Sequence, residues 1–184
     1  VRFCLQTHAH ADHLDPSHLL SRSPTYGVVG APRLQLYASP ATLDRLAEAL
    51  ARDMAPGSLF DVAAQEQLNM ELHPVTPLAP FTVGPYTVLA IPANHDPSVE
   101  PLLYVIQAAG RCIFYGTDTA ALPESTWQAF HAHRLRFDVV VLDPPRRGAG
   151  RAVAAAVADR RPVRIVHLAY DPAALARDVA AYLE

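Results

Sequence analysis

The sequence predicts an α/β fold, which some schemes would class as α+β, with a layered sheet covered by helices. Short apolar runs typical of strands, joined by tight turns, occupy the middle of the chain. Beyond residue 123, predicted helices and strands alternate. The 184 residues, with 51% hydrophobic and 18% charged side chains, have an ordinary globular composition. We therefore expect a single domain spanning residues 1–184.

The first part of the chain predicts two strands and two helices. Residues 3–6 are apolar enough for a short buried strand. An Asp-Pro pair at 15–16 predicts a helix start, because Asp caps helices well and Pro suits the first helical position. Residues 34–38 alternate between apolar and polar types, which indicates a strand. A Ser-Pro pair at 39–40 predicts a helix that runs to about residue 54.

The remaining elements follow from the same patterns. Strands are predicted at residues 68–75, 81–83, 86–91, 102–108 and 112–115, the last two flanking a hairpin turn. Helices at 123–133 and 151–159, and a final helix after residue 171, alternate with strands at 137–142 and 164–166.

Charge and cysteine content narrow the functional class. The net charge is -3 and no basic stripe is visible, which disfavours nucleic-acid binding. No apolar run approaches the ~20 residues of a membrane span, so we expect no membrane partner. Two cysteines are too few for a disulfide framework. We read them as reduced core residues and expect a cytoplasmic protein.

Four potential metal ligands follow the first predicted strand within six positions, in the pattern His-x-His-x-Asp-His. They are His8, His10, Asp12 and His13. Imidazole and carboxylate ligands suit zinc, manganese or iron better than calcium or magnesium. The alternative, a surface cluster without a role, is the weaker interpretation for four potential ligands at this spacing.

Three further candidates stand just beyond predicted strand ends: His95, Asp118 and His167. Strand ends at one edge of a sheet converge, so these side chains can meet the first cluster. Taken singly, the two histidines would also suit buried, hydrogen-bonded positions, and Asp118 would suit a turn beside Gly116. Their order and placement favour the ligand interpretation.

In this order of ligands the sequence resembles the metallo-β-lactamase superfamily, over essentially the whole chain. The resemblance implies a four-layer αββα sandwich and two divalent metal ions, either zinc or manganese, with iron as a further option. The family has several strands before its first His motif and a strand after its last helix. We therefore expect this chain to be a truncated fragment, mainly at its N-terminus. The implied ligands are His8, His10 and His95 for one metal, Asp12, His13 and His167 for the other, and Asp118 as the bridge.

The segments Pro92-Ala93-Asn94-His95-Asp96 and Leu122-Pro123 are similar to the phosphodiesterase branch, which includes ribonuclease Z and the cyclic phosphodiesterases of phosphonate breakdown. This implies hydrolysis of a small or cyclic phosphodiester by a metal-bridging hydroxide, with Asp12 and Asp118 as catalytic residues. Ribonuclease Z-like tRNA processing is an alternative, although no basic Gly-rich arm is visible. A non-catalytic metal-binding fragment is another. The exact substrate, the native metal and the oligomeric state, a homodimer included, stay open.

Several residues near the motifs receive secondary interpretations. Asp96 is a candidate hydrogen-bond acceptor for His95, since metal-bound imidazoles usually donate their other N–H. Tyr170 and Asp171 are candidates for protonating the leaving group because they follow His167. The arginines of residues 144–148 are read as a solvated loop in preference to a phosphate site.

Overall fold

The computed structural model describes residues 1–26, 30–54 and 57–183. They form two compact units, one made of residues 1–76 with 96–102 and the other of residues 77–95 with 103 onward. Each unit has its own sheet and its own apolar core. The sheets and helices confirm the predicted α/β class.

The first unit is built on a parallel three-stranded sheet in the order β1-β2-β3. Two single-turn 3₁₀ helices, Pro24–Tyr26 and Pro97–Val99, complete it. Its strands and α-helices are β1 (Phe3–Leu5), α1 (Pro16–Leu20), β2 (Leu34–Ala38), α2 (Pro40–Leu50), α3 (Val62–Gln67) and β3 (Met70–Pro74).

Local sequence explains most of this unit. The Asp15 carboxylate accepts from the Ser17 N–H, and the Ser39 hydroxyl accepts from the Thr42 N–H, so both predicted caps are confirmed. Strand β2 alternates buried and half-buried residues as expected. Helix α2 ends at Leu50, four residues before the predicted end, and the chain continues as a turn in which the Met54 N–H still reaches the Leu50 carbonyl.

The second unit carries a six-stranded sheet in the order β4-β5-β6-β7-β8-β9. Its elements are β4 (Pro80–Val83), β5 (Tyr86–Pro92), β6 (Leu102–Ala108, from residue 103), β7 (Arg111–Thr117), α4 (Glu124–Ala132), β8 (Val139–Asp143), α5 (Arg151–Ala158), β9 (Arg164–His167) and α6 (Pro172–Tyr182).

The direction of pairing changes within this sheet. The pairs β4-β5 and β6-β7 are antiparallel, whereas β7-β8 and β8-β9 are parallel and are connected through α4 and α5. This confirms the predicted change from hairpins to alternating strand and helix. Ala109 and Gly110 connect β6 to β7 with φ of 49° and 71°, the geometry of a two-residue hairpin turn. As a consequence, the loops after β7, β8 and β9 leave the same edge of the sheet.

No helix in the described ranges is long and apolar enough to cross a membrane.

Candidate metal centre

The loop after β1 is held by one buried side chain, Gln6. Its Nε2 donates to the backbone carbonyl oxygens of His8, at 2.8 Å, and of His13, at 3.1 Å. Residues 10–14 of the loop form a turn in which the N–H groups of His13 and Leu14 both donate to the His10 carbonyl at 2.9 Å. The backbone that carries four of the predicted ligands is therefore fixed by hydrogen bonds of the protein itself.

Within this loop, the rings of His8 and His10 converge. His8 is 1% exposed, and its Nε2 lies 3.1 Å from Nδ1 of His10. Two nitrogens bound to one tetrahedral zinc at their usual bond lengths lie roughly 3.3 Å apart. The remaining nitrogens are occupied elsewhere: Nδ1 of His8 is 3.2 Å from the Thr7 hydroxyl, and Nε2 of His10 is 3.4 Å from Asp96 Oδ2. This donor pair fits a divalent metal ion.

The other two members of the first motif lie beside this pair. The His13 ring is 4.3 Å from the His8 ring, centroid to centroid. Its Nε2 lies 3.5 Å from the carboxylate of Asp12, whose side chain is 79% exposed. The structure thus brings the three histidines of the motif together and leaves the Asp12 carboxylate facing solvent, where it can still change rotamer.

The partner predicted for Asp96 requires correction. We expected its carboxylate to accept from His95, the preceding residue, but the contact is with Nε2 of His10. The other carboxylate oxygen accepts from the Ser98 N–H at the start of a 3₁₀ turn, which holds the side chain away from its own neighbour. This backbone N–H is the main reason that the pKa of Asp96 is below its usual value, with His10 a smaller contributor.

In the second unit, the loops that carry His95 and Asp118 are fastened to each other by Asn94. The Asn94 N–H donates to the Thr119 hydroxyl at 3.0 Å, its side-chain amide donates to the Ala121 carbonyl at 2.9 Å, and its carbonyl accepts from the Ala120 N–H at 2.9 Å. His95 is exposed, and it lies three positions after the last residue of β5. The two predicted ligands of this unit are therefore on connected loops.

Asp118 itself has an unusual backbone. Its φ is 48°, in the left-handed region that few residues other than glycine adopt. Its N–H donates to the Asp143 carbonyl at the end of the neighbouring parallel strand, at 3.3 Å. Six other non-glycine residues in the described part of the chain share this conformation, and aspartate tolerates it in turns, so the backbone suits both the turn and the ligand interpretation of Asp118.

His167 ends β9, as predicted, but its side chain points into a polar cluster of its own. Nδ1 lies 2.8 Å from the Tyr182 hydroxyl, and Nε2 lies 3.6 Å from the Asp178 carboxylate, which is 4% exposed. Burial, with Asp178 second, raises the pKa of Tyr182 to about 12. In the part of the chain that the structure describes, His167 joins no group of three possible ligands. Its ligand role stays a prediction.

Asp178 was not identified from sequence. Besides facing His167, its carboxylate accepts from the N–H groups of Ala149, at 2.7 Å, and Gly150, at 3.0 Å, directly before α5. An acidic residue on a predicted helix is ordinarily solvent-exposed, and no local signal marks this one as buried. It ties the start of α5 to α6.

The two candidates for leaving-group protonation have other placements. Asp171 caps α6 by accepting from the Ala173 N–H at 2.8 Å, which is a structural role. Tyr170 is 70% exposed. Neither position supports the proton-transfer role, which therefore has no assigned residue.

Residues 1–180 match the model of a protein family described as "Beta-lactamase superfamily domain". Among the solved structures that share the fold are two with TM-scores above 0.6. A diphosphatase described as a member of the PhnP family is 18% identical, with a TM-score of 0.61, and the match covers 91% of this chain and 59% of that one. The metallo-β-lactamase fold protein YhfI from Bacillus subtilis is 14% identical, with a TM-score of 0.63, and the match covers 99% and 72%.

A curated protein that this chain resembles in sequence is described as a methyltransferase and not as a hydrolase. A stretch of 42 residues is 60% identical to an uncharacterized RNA methyltransferase of Corynebacterium efficiens, and it covers 23% of this chain. The match spans only 10% of that relative, so it concerns a segment and not the whole protein.

Proposed function

The chain belongs to the β-lactamase superfamily domain family, and from that premise we propose that it acts as a metal-dependent hydrolase of a small or cyclic phosphodiester. A fold neighbour described as a diphosphatase supports a phosphorus-containing substrate. The observation that carries the proposal is the convergence of His8 Nε2 and His10 Nδ1 at 3.1 Å, with the opposite nitrogen of each ring already held by a protein group.

We propose a dinuclear centre. Bound divalent ions would supply Lewis acidity and lower the pKa of water so that it serves as a nucleophile at neutral pH. Zinc and manganese both suit the donor set. The proposed ligands are His8, His10 and His95 for one ion, Asp12, His13 and His167 for the other, and Asp118 between them.

The protein groups have distinguishable tasks. The hydrogen bond between His10 and Asp96 fixes the ring so that Nδ1 is presented to the metal, and a carboxylate partner also makes that nitrogen a better donor. Gln6 keeps the His8–His13 turn in shape before the metal arrives. The exposed Asp12 carboxylate is available to orient the attacking water, which is a positioning task as well as ligation.

The proposal is tested by measuring metal content and the hydrolysis of bis(p-nitrophenyl) phosphate on the full-length protein and two variants. His10→Ala removes one member of the converging pair. His18→Ala is the matched control, because that ring is 84% exposed beside Asp15 and outside the loop. We expect His10→Ala to lose bound metal and at least 100-fold in rate, and His18→Ala to match the unmodified protein. Equal rates in all three would refute the proposal.

A second candidate function is favoured by the short match at 60% identity. A segment of this chain, or the longer protein that contains it, would then take part in RNA methylation. The test is transfer of radiolabelled methyl groups from S-adenosylmethionine to RNA. Methyl transfer without phosphodiester hydrolysis would favour this candidate over the first, and hydrolysis without methyl transfer would exclude it.

A further inference from the structure

We infer that the second unit contains a pocket for a single aromatic ring, and that this pocket receives the aromatic ester group that stays on the phosphate when the other ester bond is cleaved. That the molecule bearing this ring is a phosphodiester substrate rests on the proposed function. The existence of the pocket does not.

The pocket is a cavity of about 170 Å³ between α4, α5 and the sheet strands β7 and β8. Its lining includes the aromatic rings of Phe114, Trp127 and Phe130, together with Ala156 and Val157 of α5. A cavity of roughly 150 Å³ lined by Leu, Ile and Phe stays dry and takes up benzene. The volume and lining of this cavity therefore suit one ring of that size.

The surrounding side chains favour an aromatic guest over an aliphatic one. Trp127 and Phe130 meet edge to face with their centroids 5.6 Å apart, and Phe130 meets Phe114 in the same way at 5.4 Å. The edges and faces of these rings give a planar guest the offset or edge-to-face contacts that aromatic pairs prefer. Arg160 lies 5.4 Å from the Trp127 ring centroid and closes part of the wall with its charge directed at the aromatic face.

One end of the cavity is continuous with the loop of Asp118. Thr119, the next residue, lines the cavity, as does Asp143, whose carbonyl accepts from the Asp118 N–H. Arg147, which is exposed, belongs to the same rim and supplies positive charge there. A phosphoryl group beside Asp118 would thus have its ester group next to an apolar cavity and an arginine. This geometry fits an aryl ester of a phosphate anion.

Ring binding is tested first without any hydrolysis, by titrating 4-fluorophenol into the full-length protein and following its fluorine resonance by NMR. Ala156→Leu places extra methyl groups into the cavity. Ala155→Leu is the matched control, because it adds the same groups on the exposed face of the same helix and does not line the cavity. Ala152→Phe, at another lining position, serves if Ala156→Leu does not fold, as judged by circular dichroism.

We expect equal affinity for the ring in the unmodified protein and Ala155→Leu, and at least 10-fold weaker binding in the cavity-filling variant. Equal affinity in all of them, or no binding to any, would overturn the inference.

The carrier of the ring is tested by comparing two substrates with the same leaving group, bis(p-nitrophenyl) phosphate and methyl p-nitrophenyl phosphate. We expect the ratio of their kcat/KM values to fall at least 10-fold in Ala156→Leu and to be unchanged in Ala155→Leu. Because the two substrates differ only in the retained ester group, an unchanged ratio in both variants would overturn the assignment of the pocket to that group. Absence of hydrolysis in every protein would refute the proposed function, while the NMR titration would still decide whether the pocket exists.

Discussion

The side-chain amide of Gln6, the first residue after β1, donates a hydrogen bond over 2.8 Å to the backbone carbonyl of His8 in the loop that carries the histidines. The same nitrogen reaches the His13 carbonyl, so one residue holds both ends of the ligand loop. A loop already held in this way loses less conformational freedom when a metal binds, and affinity rises accordingly.

Replacing Gln6 with Leu is therefore expected to weaken metal binding. The change leaves two carbonyl oxygens without their partner, at about 1–3 kcal/mol for each that stays buried. It also frees the loop that presents His8, His10 and His13. We expect the zinc affinity, measured by competition with a chromophoric chelator, to fall by about 10-fold or more, which is the typical effect of losing a residue that orients metal ligands.

Gln35→Leu is the matched control for this experiment. Gln35 lies on β2 of the same unit, and its side chain contacts Glu71 and His73 instead of the ligand loop. Its loss is expected to lower the free energy of unfolding without changing zinc affinity. If both variants change zinc affinity equally, Gln6 has no specific effect on the loop.

His167→Ala and His10→Ala are expected to differ in the metal-free protein. His167 is packed against Tyr182 and Asp178 inside the second unit, so its removal leaves a buried carboxylate and a half-buried hydroxyl without this neighbour. We expect a loss of about 2 kcal/mol or more in urea unfolding without metal. The His10 side chain is 35% exposed, so we expect His10→Ala to lower the free energy of unfolding far less.

Metal stoichiometry completes the comparison. If His167 is a ligand, its removal lowers the bound metal from two ions to one under conditions where the remaining protein is folded. Two ions bound to folded His167→Ala would restrict the role of this residue to the Tyr182 and Asp178 cluster.

Much of the fold could be predicted because it depends on neighbours in sequence. The proline-flanked caps at Asp15, Ser39 and Asp171 begin helices where expected, since a capping side chain contacts N–H groups only two or three residues away. Helix α3 was missed because it lacks such local signals. It has only six residues, and the side chain of its N-cap, Asp61, makes no capping hydrogen bond to it. Its placement depends on packing, as Ala64 belongs to the core.

The parts of the site that escaped prediction are the distant contacts. Asp96 bonds to His10, 86 residues away, and Asp178 bonds to the start of α5, 28 and 29 residues away. Neither partner is encoded by a local pattern. The proposed ligand motif could be located in the sequence because its four residues lie within six positions after a strand, whereas the groups that contact them are brought by the fold.

Gly148→Ala is expected to destabilise the second unit more than Gly150→Ala. Both glycines have positive φ, 92° and 80°, so alanine is strained at either position. At Gly148 an added Cβ would also come within 2.6 Å of the Asp178 carboxylate, whereas at Gly150 it meets nothing within 4 Å. We expect a loss of about 1 kcal/mol at Gly150 and roughly 1–3 kcal/mol more at Gly148, measured by urea unfolding. Equal losses at the two positions would show that the Asp178 carboxylate moves away from the added Cβ without a measurable cost in free energy.

Acid should remove a stabilising contribution of Asp138. The Arg111 guanidinium, 2.6 Å away, and next the Cys112 N–H hold the pKa of this carboxyl below its usual value. Because the native pKa is the lower one, the contribution is fully present above about pH 4, the usual value, and is lost as the pH falls through the native pKa. We expect Asp138→Asn to show a smaller decline of unfolding free energy between pH 5 and 2 than the unmodified protein.

Asp44→Asn is the control for this titration, since Asp44 is exposed on α2. An Asp138→Asn curve that is parallel to those of Asp44→Asn and the unmodified protein would contradict the assignment.

The left-handed backbone of Asp118 has a consequence for engineering. Glycine adopts that conformation without the cost that an aspartate bears there. Directed evolution under heat challenge alone would therefore drift towards glycine at this position and discard the carboxylate. If Asp118 has the proposed role at the metal centre, a thermostability library of this protein needs a parallel screen for bound metal to retain activity.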